Sequence, residues 1–481
     1  METEGATIGA LPSGAHATGT TRLRRLQNEL RELLRLAVPI AIAQAGLALM
    51  GVVDTAVVGR LGAAALGAVG LSNGIFFAVA IVGIGTVMGL DPLVAQAFGA
   101  RDGKRARELL WQGGWLALFT SLVLAIPLAL APRLIDAAGI DPDLIPGAKA
   151  FLWARLPGLL PMLLFVALRS YLQAAHKVLP LVVATLIANI CNLLLDILLV
   201  FGGAALPAWM GPLRLVPAMG PAGSGLATSL CSVIQALTLL VPAAALRERE
   251  HVRRAPVLHD LRAALRVGAP VGLQMGAEVS IFALVGILAG RISQLAIAAH
   301  QVAISFASFS FCFAVGIGNA GSVRVGWAIG ARDTAGARRS GLVAFGAGAS
   351  IMTFFAILFW LFPGPVASIL TDRADVLAAS TPVLAVAAFF QISDGIQGVG
   401  AGVLRGAGDT RFAFLANLFG HYAVGLPVAI VLGLFVQRSV IGLWWGLCAG
   451  LTAVAAALLS RFLRLSSREI APLEAHPASP H

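Results

Sequence analysis

Four acidic residues of this chain stand inside long apolar stretches: Asp54, Asp196, Glu278 and Asp394. A carboxyl group in such surroundings is costly to keep, so each marks a site of ion or substrate chemistry before any other reading. Asn192 lies one helical turn before Asp196 on the same face, and Asn189 a further turn back. Carboxylate and amide oxygens facing one cavity would make either a proton site or a hard-cation site, Na⁺ included. Gln44, Gln274 and Gln391 are also set in apolar runs, where they could contact a substrate or join helices. His300 and His421 read as hydrogen-bonded core histidines rather than ligands. Asp91-Pro92 suits a helix turn as well as an ionic role, and Arg324 suits a snorkelling cation. Cys191, Cys231, Cys312 and Cys448 lack metal-ligand spacing and read as buried small hydrophobes. No Walker A, HExxH or CxxC pattern is present, so the chain reads as neither an ATPase nor another enzyme, and no cofactor is expected.

The elements that hold these residues are membrane helices. Of 481 residues 58% are hydrophobic and 12% charged, more apolar surface than a water-soluble core needs. Twelve apolar runs reach spanning length: 33–59, 64–98, 108–131, 150–172, 178–202, 223–246, 267–290, 294–328, 340–362, 380–403, 412–436 and 440–462. At about 1.5 Å per residue, Asp54 and Asp196 lie roughly 8–9 Å below the outer ends of helices 1 and 5. Glu278 and Asp394 lie roughly 18–21 Å below those of helices 7 and 10, past the midplane. No Lys or Arg is read at those depths, which argues against simple ion pairing.

The chain runs through one unit twice. A shift of 231 residues places Pro39 on Pro270, Gly59-Arg60 on Gly290-Arg291 and Gly85 on Gly316. The same shift places Gly99-Ala100-Arg101-Asp102 on Gly330-Ala331-Arg332-Asp333. Six helices per copy return the chain to its starting side, so the copies are parallel repeats about an axis along the membrane normal. The acids are not repeated: Asp54 meets Val285 and Glu278 meets Leu47. The scaffold is doubled and the charged chemistry is not.

Orientation follows from Lys and Arg, which crowd one side. That side holds Arg101, Lys104, Arg105 and Arg107, the connector arginines Arg247 to Arg266, and Arg332, Arg338, Arg339, Arg405, Arg411, Arg461, Arg464 and Arg468. By the positive-inside rule it is cytoplasmic, as are both termini, in a multi-pass protein of the plasma or inner membrane. A net charge of +11 distributed this way speaks against nucleic-acid binding. Residues 1–32 read as a disordered tail, 33–246 as one lobe and 247–266 as a solvated cytoplasmic connector. Residues 267–462 read as the second lobe and 463–481 as a tail.

Pro39 with Gly-Val-Val-Asp54-Thr, then Leu90-Asp91-Pro-Leu-Val-Ala-Gln96-Ala-Phe-Gly-Ala100, resembles the multidrug and toxic compound extrusion (MATE) transporters, NorM-like branch. Glu278, Gln391-Ile-Ser-Asp394 and Leu404-Arg405-Gly-Ala-Gly-Asp409-Thr fit the same family, and the likeness covers about residues 33–465. The resemblance implies a V-shaped pair of six-helix bundles that exports cationic amphiphiles by alternating access in exchange for H⁺ or Na⁺. It implies an amino-lobe cation site at Asp54, Asn192 and Asp196 with helix 1 bending near Pro39, and carboxy-lobe acids at Glu278 and Asp394. Two features depart from the family's usual wording. Ala-Ala-His176-Lys replaces a glycine-containing turn, and tyrosine is limited to Tyr171 and Tyr422, which favours a cavity of Phe and Met. A flippase for a lipid-linked precursor is the alternative reading, but an anionic head group would call for basic residues at depth. Small substrates and lipid are the expected partners, and a monomer suffices for this architecture.

Overall fold

The computed structural model of the chain describes residues 19–137, 139–204, 208–246 and 252–473, and all their regular elements are helical. Among these residues twelve helices are long and apolar enough to cross a bilayer. The first half supplies α1 (Arg24–Leu61), α2 (Ala63–Gly99), α3 (Gly103–Ala137), α4 (Ile145–Ala174), α5 (Leu179–Phe201) and α6 (Pro221–Ala245). The second supplies α7 (Leu258–Ile292), α8 (Gln294–Gly330), α9 (Thr334–Leu361), α10 (Ala374–Gly406), α11 (Thr410–Val436) and α12 (Val440–Leu465). Helices are what such runs must form, because lipid offers no partner for an open backbone N–H or C=O.

The repeat is visible in local chemistry. In each Gly-Ala-Arg-Asp word the arginine takes the left-handed backbone region, at φ 61° for Arg101 and 56° for Arg332. The aspartate then caps the next helix: Asp102 Oδ1 accepts from Arg105 N at 2.8 Å and Asp333 Oδ1 from Gly336 N at 2.7 Å. His176, in the turn where a glycine was expected, adopts the same left-handed conformation at φ 58°. Its ring lies 4.6 Å from that of Trp327.

The two halves meet along α1 against α8 and α2 against α7. Gly85 faces the backbone of Gly272, and the repeat-related Gly316 faces Ala41. Gly99 likewise faces Trp327, and Gly330 faces Gln96. These close approaches crowd toward the end of the molecule that carries the Arg101 and Arg332 turns, here called the basic end. There Trp327 Nε1 donates to Ala174 O at 2.8 Å and Gln96 Nε2 to Gly406 O at 3.3 Å, one bond in each direction across the seam. Toward the opposite end α1 leaves Leu49 and Val52 exposed. The basic-end part of α1 (Leu33, Leu36, Ala37, Ile40) joins the core of the second half, while Ala264 and Val271 of α7 join that of the first. The two halves therefore exchange their first helices at the seam.

Several sequence boundaries move. Helix begins at Gly19, so residues 19–32 continue α1 instead of forming a tail. The reason is Glu29, which is buried and held by Arg324 at 2.9 and 2.8 Å and by Ser340 Oγ at 2.7 Å. Arg324 is thus paired and does not snorkel. Residues 258–266 of the expected connector belong to α7, and residues 252–257 are strapped to α3. Gln112 Nε2 donates to Ala255 O and Trp115 Nε1 to Arg254 O, both at 2.9 Å, while Arg105 grips Asp260 through two 2.8 Å bonds. The C-terminal segment also docks: Leu473 N donates to Gln96 Oε1 at 2.8 Å. Residues 1–18 and 474–481 of the expected tails, and Arg247 and Arg249 of the connector, lie outside the described residues.

Candidate functional site

Near the end opposite the basic one, α1, α5 and α6 bring Asp54, Asn192, Asp196 and Asn189 together. Asn192 Nδ2 donates to Asp54 Oδ1 at 2.8 Å, and Thr228 Oγ1 donates to Asp54 Oδ2 at 3.1 Å, so one carboxylate ties α1 to both neighbours. Asn189 Nδ2 reaches back to Gly46 O of α1 at 2.9 Å. Asp196 is wholly buried, and neither of its oxygens has a hydrogen-bond donor. The side-chain oxygens of Asn192, Asn189 and Ser224 are buried and unpartnered as well. Burying that many acceptors without donors is unfavourable unless something positive joins them. The set is all oxygen, with two carboxylates, and among the described residues no cluster of three His, Cys, Asp or Glu is formed. Such donors fit a proton or Na⁺ and not a soft metal.

Sequence reading missed a cation here. Arg155 of α4 is 7% exposed, its guanidinium carbon lies 4.5 Å from the Phe76 ring centroid, and its Nη1 is 3.5 Å from Ser232 Oγ. Ser232 stands one turn from Thr228 on α6, so Arg155 and Asp54 flank the same helix face. The expectation of no basic residue at this depth is therefore corrected. Arg155 sits five residues into run 150–172, where the depth count applied to the acids would have found it. Thr228 and Ser224 gave no sequence signal, because a hydroxyl in a helix usually bonds to its own backbone four residues back.

Between the halves lies a cavity of about 450 Å³ walled by α1, α2, α7, α8, α10 and α11. Glu278 and Asp394 both line it, and Gln397 Nε2 donates to Glu278 Oε2 at 3.1 Å. Gln44 and Gln274 line it too. Gln391 does not: it is buried on α10 and its Oε1 accepts from Ser310 Oγ at 3.0 Å, so it joins helices. Apolar lining comes from Phe77, Phe282, Phe311, Phe390, Met88 and Met275, with no tyrosine. Tyr422 is spent on Ala277 O at 2.9 Å. His300 and His421 are buried outside the lining, the first against Trp444. Cys231 and Cys448 are buried, whereas Cys191 and Cys312 are partly exposed and Cys312 lines the cavity. Pro39 lies within an unbroken helix.

The cavity floor is ionic. Asp91 of α2 accepts from Ser170 Oγ at 2.5 Å and pairs with Arg405 Nε of α10 at 3.1 Å, too bent for a good hydrogen bond. Arg405 Nη2 also donates to Asn319 Oδ1 at 2.6 Å. Both readings that Asp91-Pro92 allowed hold: Asp91 is ion-paired, and the helix turns at Met88-Gly89 and restarts at Leu90 just before it.

Comparison with known proteins gives a consistent picture. A family profile described as MatE matches residues 39–198 and 270–431, two segments that begin 231 residues apart. The chain is 36% identical to a probable multidrug resistance protein NorM of Deinococcus radiodurans, over 90% of this chain and 95% of that one. It is 31% identical to the multidrug resistance protein MdtK of Proteus mirabilis, over 91% and 96%. A solved structure described as the outward-facing conformation of a multidrug resistance MATE family transporter of the MOP superfamily superposes with a TM-score of 0.80. It is 19% identical and covers 93% of this chain and 97% of that one.

Proposed function

The chain belongs to the MATE family of multidrug transporters, and from that premise we propose that it exports cationic amphiphilic molecules in exchange for H⁺ or Na⁺. It is a multi-pass membrane transporter of small molecules, not an enzyme. The observation that carries the finer reading is the separation of two acidic sites. Glu278 and Asp394 face a cavity of Phe and Met between the lobes, and Asp54 and Asp196 face buried, unpartnered oxygens inside one lobe. The first suits an amphiphilic cation, whose charge meets carboxylates while its rings meet Phe faces. The second suits a small coupling ion.

The basic end is assigned to the cytoplasm by its arginines, and so are both termini. With the seam closed there, the cavity belongs to an outward-facing state. A proton or Na⁺ entering from outside takes the oxygens of Asp54 and Asp196 and competes with Asn192 and Thr228. The bonds that hold α1 to α5 and α6 then give way, α1 moves, and the cavity wall that includes Gln44 moves with it, releasing the substrate. Return to the inward-facing state and reloading complete alternating access. Each charge moved across 100 mV supplies about 2.3 kcal/mol, and a ten-fold ion gradient about 1.4 kcal/mol more. A monomer holds both sites.

The test is transport of a fluorescent cation such as ethidium into vesicles holding purified protein, under an imposed pH gradient or Na⁺ gradient separately. Drive by the pH gradient alone identifies the carboxylates as proton carriers, and drive by Na⁺ alone identifies the oxygens as ligands. No movement under either overturns the antiport reading.

A further inference from the structure

One buried charge has no use in the mechanism above. Arg169 of α4 is 6% exposed, and among the described residues it makes no hydrogen bond or ion pair, with Nε wholly buried. Its sequence neighbour Ser170 donates to Asp91, which places Arg169 beside the segment that holds that carboxylate, and Asp91 and Arg405 are the charges that act on it. At the basic-end seam Arg405 thus pairs with Asp91 directly, while Arg169 stands near the same carboxylate but beyond ion-pair distance. Asp91, Ser170 and Arg169 belong to one lobe, whereas Arg405 and its partner Asn319 belong to the other.

We propose that Arg169 is the reserve partner of Asp91: when the lobes part at the basic end, Asp91 exchanges Arg405 for Arg169. The inference rests on the alternating-access reading. Parting the seam removes Arg405 from a carboxylate that stays buried in its own lobe, and a buried ion that loses its partner is strongly destabilising. Arg169 travels with Asp91 and closes on it, so the carboxylate is never left alone. Arg405 keeps Asn319 and gains water from the opening. In the closed state Arg169 repels Arg405 and weakens the pair that locks the seam. The residue therefore balances the two states by lowering the cost of one and raising that of the other. It is a positioning residue, since nothing places it on substrate or coupling ion.

The experiment measures the distance across the seam by pulsed electron paramagnetic resonance on the full chain in lipid nanodiscs. Spin labels go on Ala100→Cys and Ala331→Cys, exposed positions just past α2 and α8 that the repeat relates, with the four native cysteines replaced. The parent chain is expected to give a short and a long distance whose ratio changes with pH or Na⁺. R169Q should lose the long one, R405Q the short one, and R169K, which keeps the charge, should retain both. D91N removes the carboxylate that both arginines serve, so R169Q added to D91N should shift the populations less than R169Q alone, with only the relief of the Arg169–Arg405 repulsion left. If R169Q alone fails to fold, the R169K and D91N/R169Q comparisons carry the test. Unchanged populations in R169Q, or an equal effect of R169Q with and without Asp91, overturn the proposal. A parent chain that keeps one distance in every condition overturns alternating access itself, and the proposal with it.

Discussion

At the scale of single residues, the division of labour among the acids rests on what surrounds each carboxylate. Asp54 has donors on both oxygens, Asp196 has none, and Glu278 and Asp394 line the cavity, Glu278 with Gln397 as donor. Asp54→Asn and Asp196→Asn are expected to abolish ethidium efflux from cells lacking their own pumps, with protein still present in the membrane fraction. Wild-type efflux in both would remove the coupling role from this lobe. Thr228→Val deletes one bond to Asp54, and a hydrogen bond to a charged group contributes about 1.5–3 kcal/mol. That variant should shift the ion concentration for half-maximal transport while leaving the protein folded. The acids were legible in the sequence because charge at membrane depth is rare. Thr228, Ser224 and the pairing of Asp91 with Arg405 were not, because hydroxyls are unexceptional in helices and a partner from another helix leaves no mark on local spacing.

At the scale of helices, the seam works because glycines let backbones touch. A Cβ at Gly85 or Gly316 would collide with the facing helix, whereas one at Gly51 would meet open space. Overpacking of this kind costs about 1–3 kcal/mol, so Gly85→Ala should lower the thermal unfolding temperature of purified protein and Gly51→Ala should not. His176 gives the seam a pH dependence. Burial, with Arg324 nearby, pushes its imidazole down to about 4 from the ordinary 6.5. A histidine held below its unfolded value contributes stability that is whole above pH about 6.5 and is lost as pH falls toward 4, at up to about 1.4 kcal/mol per unit. Unfolding midpoints followed from pH 7.5 to 4.5 should show this decline, and His176→Phe should flatten it. Helix count and approximate spans were legible from apolar runs. Their ends were not, since Glu29 and Asp260 are stabilised by arginines far away in the chain.

At the scale of the molecule, repeat and asymmetry coexist. The glycine contacts at the seam obey the 231-residue relation, yet the proposed coupling carboxylates occupy one half and the cavity acids the other. Basic residues crowd one end, so a C-terminal green fluorescent protein fusion should fluoresce and a C-terminal alkaline phosphatase fusion should be inactive. The opposite result would invert the proposed direction of transport.

The sequence by itself determined the membrane environment, the twelve spans, the doubled unit and the four intramembrane acids. Each depends on composition and periodicity, which lipid reads directly because it cannot satisfy polar groups. Tertiary structure alone decided the partnerships: Arg155 near the Asp54 cluster, Arg405 on Asp91, Arg324 on Glu29, and the exchange of α1 and α7 at the seam. Those depend on which helix faces come together, and local spacing fixes a residue's own face without naming the face it meets.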